Sequence, residues 1–221
     1  MNIKETELRE YFELMENRPE LFAENELIPI EKDIEIIKKF TAETGKKIGV
    51  VYHSRYNMMI TDLITSKNEK PYVYERIIPD SEGSVVTVVK CKDKFVLLKQ
   101  FRHALRKYQY GFVRGYGEQG LSAKENAAKE IQEETGGKAT ERIYLGEISA
   151  DSGLTGGIAA VYLCKTENVS QKNGYEGIQE LVLLEEHELV QWIASGKIND
   201  GFTLSAYALY CAYVQKNGLP F

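Results

Sequence analysis

The feature that most constrains the fold is a glycine-rich loop followed directly by a strongly marked helix. The loop occupies residues 115–120 (GYGEQG), where glycines let the backbone approach a ligand closely. Ser122 and Glu125 then form an S-x-x-E capping box, and Gly136 stands where a left-handed residue commonly ends a helix. The sequence therefore predicts a helix over residues 122–135 that begins immediately after the loop.

Three glutamates share one face of this predicted helix. Glu130, Glu133 and Glu134 are spaced i, i+3 and i+4, which places them within an arc of about 100°. Converging carboxylates repel one another unless a cation lies between them, and hard divalent cations such as Mg²⁺ take carboxylate oxygens as ligands. A solvated acidic helix face is the alternative interpretation, and it is the common one for this spacing considered alone.

A basic segment precedes the loop. Residues 99–114 (KQFRHALRKYQYGFVR) contain five Lys or Arg residues and no acidic residue. An exposed basic turn is one interpretation. A phosphate-bearing substrate that bridges the basic segment and the acidic helix explains both features, because cations would bind its phosphate oxygens while a metal neutralises developing charge. The cations expected to contact such a substrate are Arg102, Arg106 and Arg114.

The remaining sequence predicts a mixture of helices and strands. Apolar periodicity and helix-ending signals predict further helices over residues 5–17, 31–44, 185–195 and 204–215, the last of them buried on most sides. Runs rich in β-branched and aromatic residues predict strands over 48–52, 57–64, 72–78, 84–89, 94–98, 141–149, 158–165 and 179–184. The absence of a regular βαβ alternation favours an α+β layered domain over residues 46–221, with residues 1–45 as a helical extension.

Composition excludes some classes of function. The 221 residues include 28 Lys and Arg against 33 Asp and Glu, a formal net charge of −5, so a general nucleic-acid-binding protein is not expected. No run of about 18 apolar residues predicts a membrane span. The scattered Cys91, Cys164 and Cys211 favour a reducing compartment and are expected to be core residues. We therefore expect a cytoplasmic protein.

Residues 115–137 resemble the Nudix box, G-x5-E-x7-R-E-U-x-E-E-x-G-U, where U is a bulky aliphatic residue. The positions that match are Gly115, Glu130, Ile131, Glu133, Glu134 and Gly136. Three positions depart from the box, because Leu121 replaces the first Glu, Lys129 replaces Arg, and Gly137 replaces the last aliphatic residue.

The resemblance continues outside the box and covers roughly residues 46–216. The segments similar to the ADP-ribose pyrophosphatase branch of the family are residues 75–79 (ERIIP), 100–102 (QFR) and 196–201 (GKINDG) with Thr203. Two segments depart from that branch. Residues 111–115 read GFVRG where the branch has E-x-P-A-G, and residues 150–157 (ADSGLTGG) lack its acidic residue.

This resemblance implies a Nudix-like α/β/α sandwich with a mixed β-sheet, preceded by the helical extension and a β-rich lead-in. It implies hydrolysis of a diphosphate linkage in a nucleoside diphosphate derivative, ADP-ribose above all, by a homodimer that uses Mg²⁺ or Mn²⁺. The metal ligands it implies are Gly115, Glu130, Glu133 and Glu134. The other expected site residues are Glu133, Glu134 and Glu176 for catalysis, and Arg102, Arg106, Arg114 and Asp151 for substrate binding.

Two assignments have alternatives. Glu176 is the nearest match to the branch's loop glutamate that acts as base, although an exposed loop acid explains it equally well, and Glu118 and Asp151 are reserve candidates. For the whole chain, the alternative is a Nudix-fold module that binds a nucleotide or a partner without hydrolysis. Leu121 and the missing loop acids favour that alternative.

Overall fold

The computed structural model describes residues 3–67, 69–80, 83–170 and 175–221. The chain divides into two compact units. The first unit is Met1–Asp80 with Asp151–Gly157, and the second is Ser81–Ala150 with Ile158–Phe221. The division at residue 45 between a helical extension and a Nudix domain stays a prediction about domain organisation.

The first unit is an antiparallel sheet with helices packed on it. Its elements are α1 (Ile3–Asn17), a 3₁₀ turn (Pro19–Phe22), α2 (Ile34–Thr44), β1 (Gly49–His53), β2 (Asn57–Ile64) and β3 (Tyr72–Pro79). The strand order is β1-β2-β3. Helix α2 begins after Asp33, whose carboxylate accepts hydrogen bonds from the N–H groups of Glu35 and Ile36, and it ends at the left-handed Gly45.

A buried polar network joins α1 to this sheet. The Tyr11 hydroxyl donates to Asp62 Oδ1 over 2.5 Å, and Arg76 Nε donates to Asp62 Oδ2 over 2.6 Å. Asp62 is only 2% exposed, and around it pack Phe22, Ile37 and other apolar residues of the first unit's core. Because a buried carboxylate needs hydrogen-bond donors, the network specifies how α1 lies on β2 and β3.

The second unit contains a larger, mixed sheet. Its elements are β4 (Val85–Cys91), β5 (Lys94–Arg102), β6 (Lys107–Gly111), β7 (Val113–Gly115), α3 (Ala123–Thr135), β8 (Ala139–Ile148), β9 (Ala159–Thr166), β10 (Ile178–Leu184), α4 (Glu186–Ala194) and α5 (Gly201–Asn217). The sheet order is β10-β5-β4-β9-β8, with β6 beside β5 and β7 beside β4. Strands β4 and β9 are parallel, and the other pairs are antiparallel.

Helices cover both faces of this sheet. Val85 and Val89 of β4 face one side, where they share a core with Ile131 of α3. Val86 and Val88 face the other side, in the core that contains Leu189 of α4 together with Ala206 and Tyr210 of α5. Since successive strand residues point to opposite faces, the continuous valine run of β4 serves two cores. This arrangement confirms the expected α/β/α sandwich.

Three expectations about the second unit need correction. Helix α5 begins at Gly201 rather than at residue 204, because Asp200 caps it. It is not buried on most sides, since Thr203, Ala206 and Tyr210 are its buried residues and Cys211 is exposed. The basic segment is not simply a turn, because it contains the end of β5, all of β6 and the first two residues of β7. Among the described residues, none of the helices is both long enough and apolar enough to span a membrane.

Candidate active site

The two ends of α3 are defined as the sequence predicts. The Ser122 N–H donates to Glu125 Oε2 over 2.9 Å, and the Glu125 N–H donates to Ser122 Oγ over 3.3 Å, which confirms the capping box. At the other end, Gly136 has a φ of 65° and its N–H donates to the carbonyl of Gln132. The orientation of the helix relative to the loop is thereby set by local hydrogen bonds.

The side chain of Asn126 connects the glycine-rich loop to α3. Its Nδ2 donates to the carbonyl of Tyr116 in the loop over 2.8 Å and to the carbonyl of Gly83 over 3.2 Å. Asn126 is fully buried, at 0% exposure. Since one buried amide donates to both carbonyls, it connects the loop and the segment before β4 to the same helix.

Strand β7 brings Gly115 against Glu130. A Cβ atom at position 115 would overlap the carboxyl group of Glu130, so a side chain there would displace it. Gly115 pairs with Val85 of β4, which ties this close approach to the centre of the sheet. Glycine is therefore required at position 115 because a strand backbone and an acidic side chain meet there.

Two glutamates on α3, the buried Glu134 and the half-buried Glu130, resist ionisation. Glu134 is 2% exposed, and burial is the main reason that its pKa rises from 4.5 to about 8, with a further contribution from Glu130. The Arg114 N–H donates to Glu134 Oε2 over 3.3 Å and opposes that rise. Burial likewise raises the pKa of Glu130 to about 7. Both carboxyl groups lack a nearby cation that would fully offset their burial.

Two arginines lie beside these carboxyl groups. Burial, and then the charge of Arg114, lower the pKa of Arg102, whose surroundings also include Glu134 and Asp200. Arg114 Nη2 lies 3.4 Å from Asp200 Oδ1, and the guanidinium stacks on the ring of Phe202 at 4.5 Å. Two half-buried guanidinium groups in one place repel each other, so the arrangement suits a bound anion.

Asp200 is itself held rigidly. Its Oδ2 accepts hydrogen bonds from the N–H (3.0 Å) and the hydroxyl (2.7 Å) of Thr203. The Thr203 hydroxyl oxygen accepts from the N–H of Phe112 over 3.0 Å. This chain of contacts fixes the Arg114 side chain from the start of α5.

Glu176 reaches the same site from the segment before β10. Its backbone is left-handed, with a φ of 45° and a ψ of 33°, which is uncommon for a residue other than glycine. Gln100 Nε2 donates to the Glu176 carbonyl over 2.9 Å and holds this conformation. The Glu176 charge acts on Glu130, Glu134 and Arg102.

Comparisons with known proteins show what the chain is similar to. No protein-family model matches the chain. Over 77 residues the chain is 31% identical to the ADP compounds hydrolase NudE of Escherichia coli (strain K12). The match spans 35% of this chain and 41% of that relative's length. A crystal structure of an ADP compounds hydrolase is similar with a TM-score of 0.64 and 19% identity, covering 77% of this chain and 93% of that chain.

The chain has a Nudix hydrolase fold. The match to the crystal structure confirms the expected fold class, and the two matches together support the resemblance to ADP-ribose pyrophosphatase-like Nudix proteins. The roles of individual residues of the Nudix box remain predictions.

Two departures from the Nudix box, Leu121 in place of Glu and Lys129 in place of Arg, can be considered together because of the contacts that Lys129 makes. Lys129 Nζ lies 3.1 Å from Glu118 Oε2 and 2.8 Å from Glu133 Oε2. Hydrogen bonding to Glu133, and then to Glu118, raises the pKa of Lys129. Glu118 of the loop thus provides the carboxylate partner that Leu121 cannot provide, three positions away in sequence.

The contacts of two predicted substrate-binding residues, Arg106 and Asp151, are local ones. The guanidinium of Arg106 lies over the ring of Phe101 at 5.0 Å and near His103, on the hairpin turn. Asp151 belongs to the first unit, where its carbonyl accepts hydrogen bonds from the N–H groups of Leu154 and Thr155. A role for either residue in substrate binding stays a prediction.

Sequence reasoning missed three residues of the cluster: Asp200, Thr203 and Gln100. The D-x-x-T spacing at the start of α5 is an N-cap signal and would have located the helix start. No sequence signal connects Asp200 with Arg114, which are brought together only by the fold.

The carboxyl groups of this cluster are chemically suited to a hard divalent cation. Glu130 and Glu134 present oxygen ligands in a buried, partly uncompensated acidic environment. Within the part of the chain that the structure describes, no group of three or more His, Cys, Asp or Glu side chains is already arranged to hold a metal ion. Glu133 instead contacts Lys129.

Proposed function

We propose that the chain is a Mg²⁺- or Mn²⁺-dependent hydrolase that splits the diphosphate linkage of a nucleoside diphosphate derivative. The observation that carries this proposal is the cluster of Arg102 and Arg114 beside the carboxyl groups of the buried Glu134 and the half-buried Glu130. A site that pairs anion-binding guanidinium groups with metal-binding carboxylates suits phosphate chemistry.

Glu130, Glu133 and Glu134 would hold the cation, with Gly115 beside Glu130 as a further, backbone ligand. A bound divalent cation polarises a phosphoryl oxygen and stabilises negative charge that develops during attack by water. Arg114, oriented by Asp200 and by Phe202, would hold a substrate phosphate in position, and Arg102 would contribute a second positive charge. Glu134 also fixes the β7 backbone by accepting from the Arg114 N–H.

Glu176 is the proposed general base. Its exposed carboxylate lies within electrostatic range of Glu130, Glu134 and Arg102, so a proton taken from attacking water would remain inside the site. The left-handed backbone of Glu176 is stabilised by the hydrogen bond from Gln100. Such a strained conformation at a residue other than glycine is more common at functional sites than elsewhere.

ADP-ribose is the proposed first substrate. Both known proteins reported above are ADP compounds hydrolases, and the sequence resembles the ADP-ribose pyrophosphatase branch. These matches favour hydrolysis over the alternative of a module that only binds a nucleotide.

A homodimeric assembly and a cytoplasmic location are further proposals. Size-exclusion chromatography with light scattering would test the first, and fractionation of cells would test the second.

The deciding experiment is a substrate screen with the purified chain. ADP-ribose, nucleotide sugars and dinucleotides are incubated with Mg²⁺ or Mn²⁺, and monophosphate release is measured by chromatography. We expect turnover that is abolished by a chelator, and a loss of at least about 100-fold in kcat/KM for Glu134→Gln. The matched control is Glu180→Gln, which changes an exposed glutamate of β10.

Two results would contradict the proposal. Absence of monophosphate release from every compound would refute hydrolysis, and calorimetric binding of a nucleotide without metal dependence would then favour the binding module. A fully active Glu134→Gln variant would leave hydrolysis standing and refute the assignment of the metal site.

A further inference from the structure

The β5–β6 hairpin presents two chemically different faces. Antiparallel pairing places Lys99 opposite Tyr110 and Phe101 opposite Tyr108 on one face. The same register places Arg102 opposite Lys107 on the other face, together with Gln100. Gln100 contacts the Glu176 backbone, so this second face is the one that belongs to the candidate active site.

Cations on the first face have aromatic partners. Lys99 Nζ lies 5.4 Å from the centre of the Tyr108 ring and 5.9 Å from that of Tyr110. Lys197 likewise covers Tyr110 and Trp192, at 5.1 Å and 3.0 Å. The positive charges of the first face are therefore stabilised by cation–π contacts with aromatic rings of the protein itself.

Among the described residues, Arg102 and Lys107 have no aromatic partner of this kind, although the charges of Asp200, Glu134 and Glu176 act on Arg102. They lie directly opposite each other across an antiparallel ladder, where like charges are destabilising. In the described parts of the chain, no carboxylate oxygen lies within 4.0 Å of either cation, and neither covers an aromatic ring. Arg102 is also half-buried, so its charge is screened less than that of an exposed side chain.

The position of this pair extends the site outward. Strand β6 leads from Lys107 to Gly111, and at about 3.3 Å per residue the two ends lie about 13 Å apart. Gly111 lies next to the Asp200–Thr203 pair that orients Arg114. Lys107 therefore lies at the end of β6 that is farther from this pair, directly opposite Arg102, and the charge of Arg102 acts together with that of Arg114.

We infer that Arg102 and Lys107 form a subsite for a phosphate group additional to the diphosphate that is hydrolysed. This inference rests on the proposed function, which it deepens by naming the substrate class: nucleoside diphosphate derivatives that carry a further phosphate. The further phosphate is either a monoester on a ribose or a third phosphoryl group in the chain, since both present the same oxygens to the two cations.

Lys107→Gln tests the subsite, and Lys99→Gln is the matched control because it removes the same charge from the opposite face of the hairpin. The first arm compares kcat/KM for ADP-ribose with that for ADP-ribose 2′-phosphate, and the second compares diadenosine diphosphate with diadenosine triphosphate. In each arm the ratio is the kcat/KM of the more phosphorylated compound divided by that of the less phosphorylated one. We expect Lys107→Gln to lower this ratio by about three- to fivefold in one arm. The arm that responds identifies the source of the phosphate.

The inference is overturned if both ratios stay unchanged in Lys107→Gln, or if Lys99→Gln lowers them equally. A parent protein that hydrolyses none of the compounds would contradict the proposed function instead. In that event calorimetry with 5′-AMP, adenosine 2′,5′-bisphosphate and 5′-ADP, in the presence of Mg²⁺, decides the inference without turnover. Tighter binding of the bisphosphate or of 5′-ADP than of 5′-AMP, reduced in Lys107→Gln, would support the subsite, and equal binding of the three nucleotides would refute it.

Discussion

Glu134 is the residue whose surroundings most alter its chemistry. Its folded-state pKa of about 8 lies above its ordinary 4.5, so the native state binds this proton more tightly than the unfolded state does. The stability of the metal-free protein should therefore fall as the pH rises through the interval between these two values. In Glu134→Gln the fall between about pH 5 and about pH 8 should be smaller by about 3.5 kcal/mol. Urea unfolding at several pH values, with chelator present, measures this difference.

Glu180→Gln serves as the control for that experiment, because the side chain is exposed on β10. Its pH dependence should equal that of the parent. A Glu134→Gln variant that loses stability with rising pH as steeply as the parent would contradict the assigned burial of an ionisable carboxyl group.

Glu176 allows a second prediction at the residue scale. Replacing it with Gln removes a proton acceptor and keeps the side-chain length, so kcat should fall by about 100-fold or more if it is the base. Calorimetric affinity for Mn²⁺ should change much less, because the buried glutamates of α3 remain. A fall in metal affinity comparable with that of Glu134→Gln would show that Glu176 acts as a ligand rather than as the base.

Among the elements, α1 depends most clearly on a single polar contact. Tyr11→Phe removes the hydroxyl that donates to the buried Asp62, while Arg76 keeps its own contacts with that carboxylate. The free energy of unfolding should decrease by about 1–3 kcal/mol, since a buried acceptor loses a donor. Urea denaturation measures the change. Tyr52→Phe is the matched control, because Tyr52 is 61% exposed, and an equal effect of the two substitutions would contradict this role for the network.

For the whole molecule, a divalent cation should oppose the loss of stability that rising pH causes. Cations bind deprotonated carboxylates, so Mg²⁺ should raise Tm more at about pH 8 than at about pH 5. Differential scanning calorimetry of the parent with and without Mg²⁺ measures the two shifts. The Glu134→Gln variant should show a reduced shift at the higher pH. A parent Tm that is unaffected by Mg²⁺ or Mn²⁺ at both pH values would argue against a metal site on α3.

Much of the fold could be predicted because its signals are local. The capping box of Ser122 and Glu125 and the left-handed Gly136 define α3 within one or two residues, and the strand over 57–64 coincides with β2. The misjudged elements depend on distant contacts. Helix α5 looks apolar on most sides, yet only the stripe facing the sheet is buried, because burial is decided by what packs against a helix.

The sequence by itself determined the local part of the site: the glycine-rich loop, the acidic face of α3 and the position of Gly115. These follow from backbone geometry over a few residues, so periodicity and capping reveal them. Only the tertiary structure decided which charges meet, including Asp200 with Arg114, Glu118 with Lys129, and Arg102 opposite Lys107. These pairs join elements whose proximity depends on sheet pairing and core packing, and charge spacing along the chain carries no information about either.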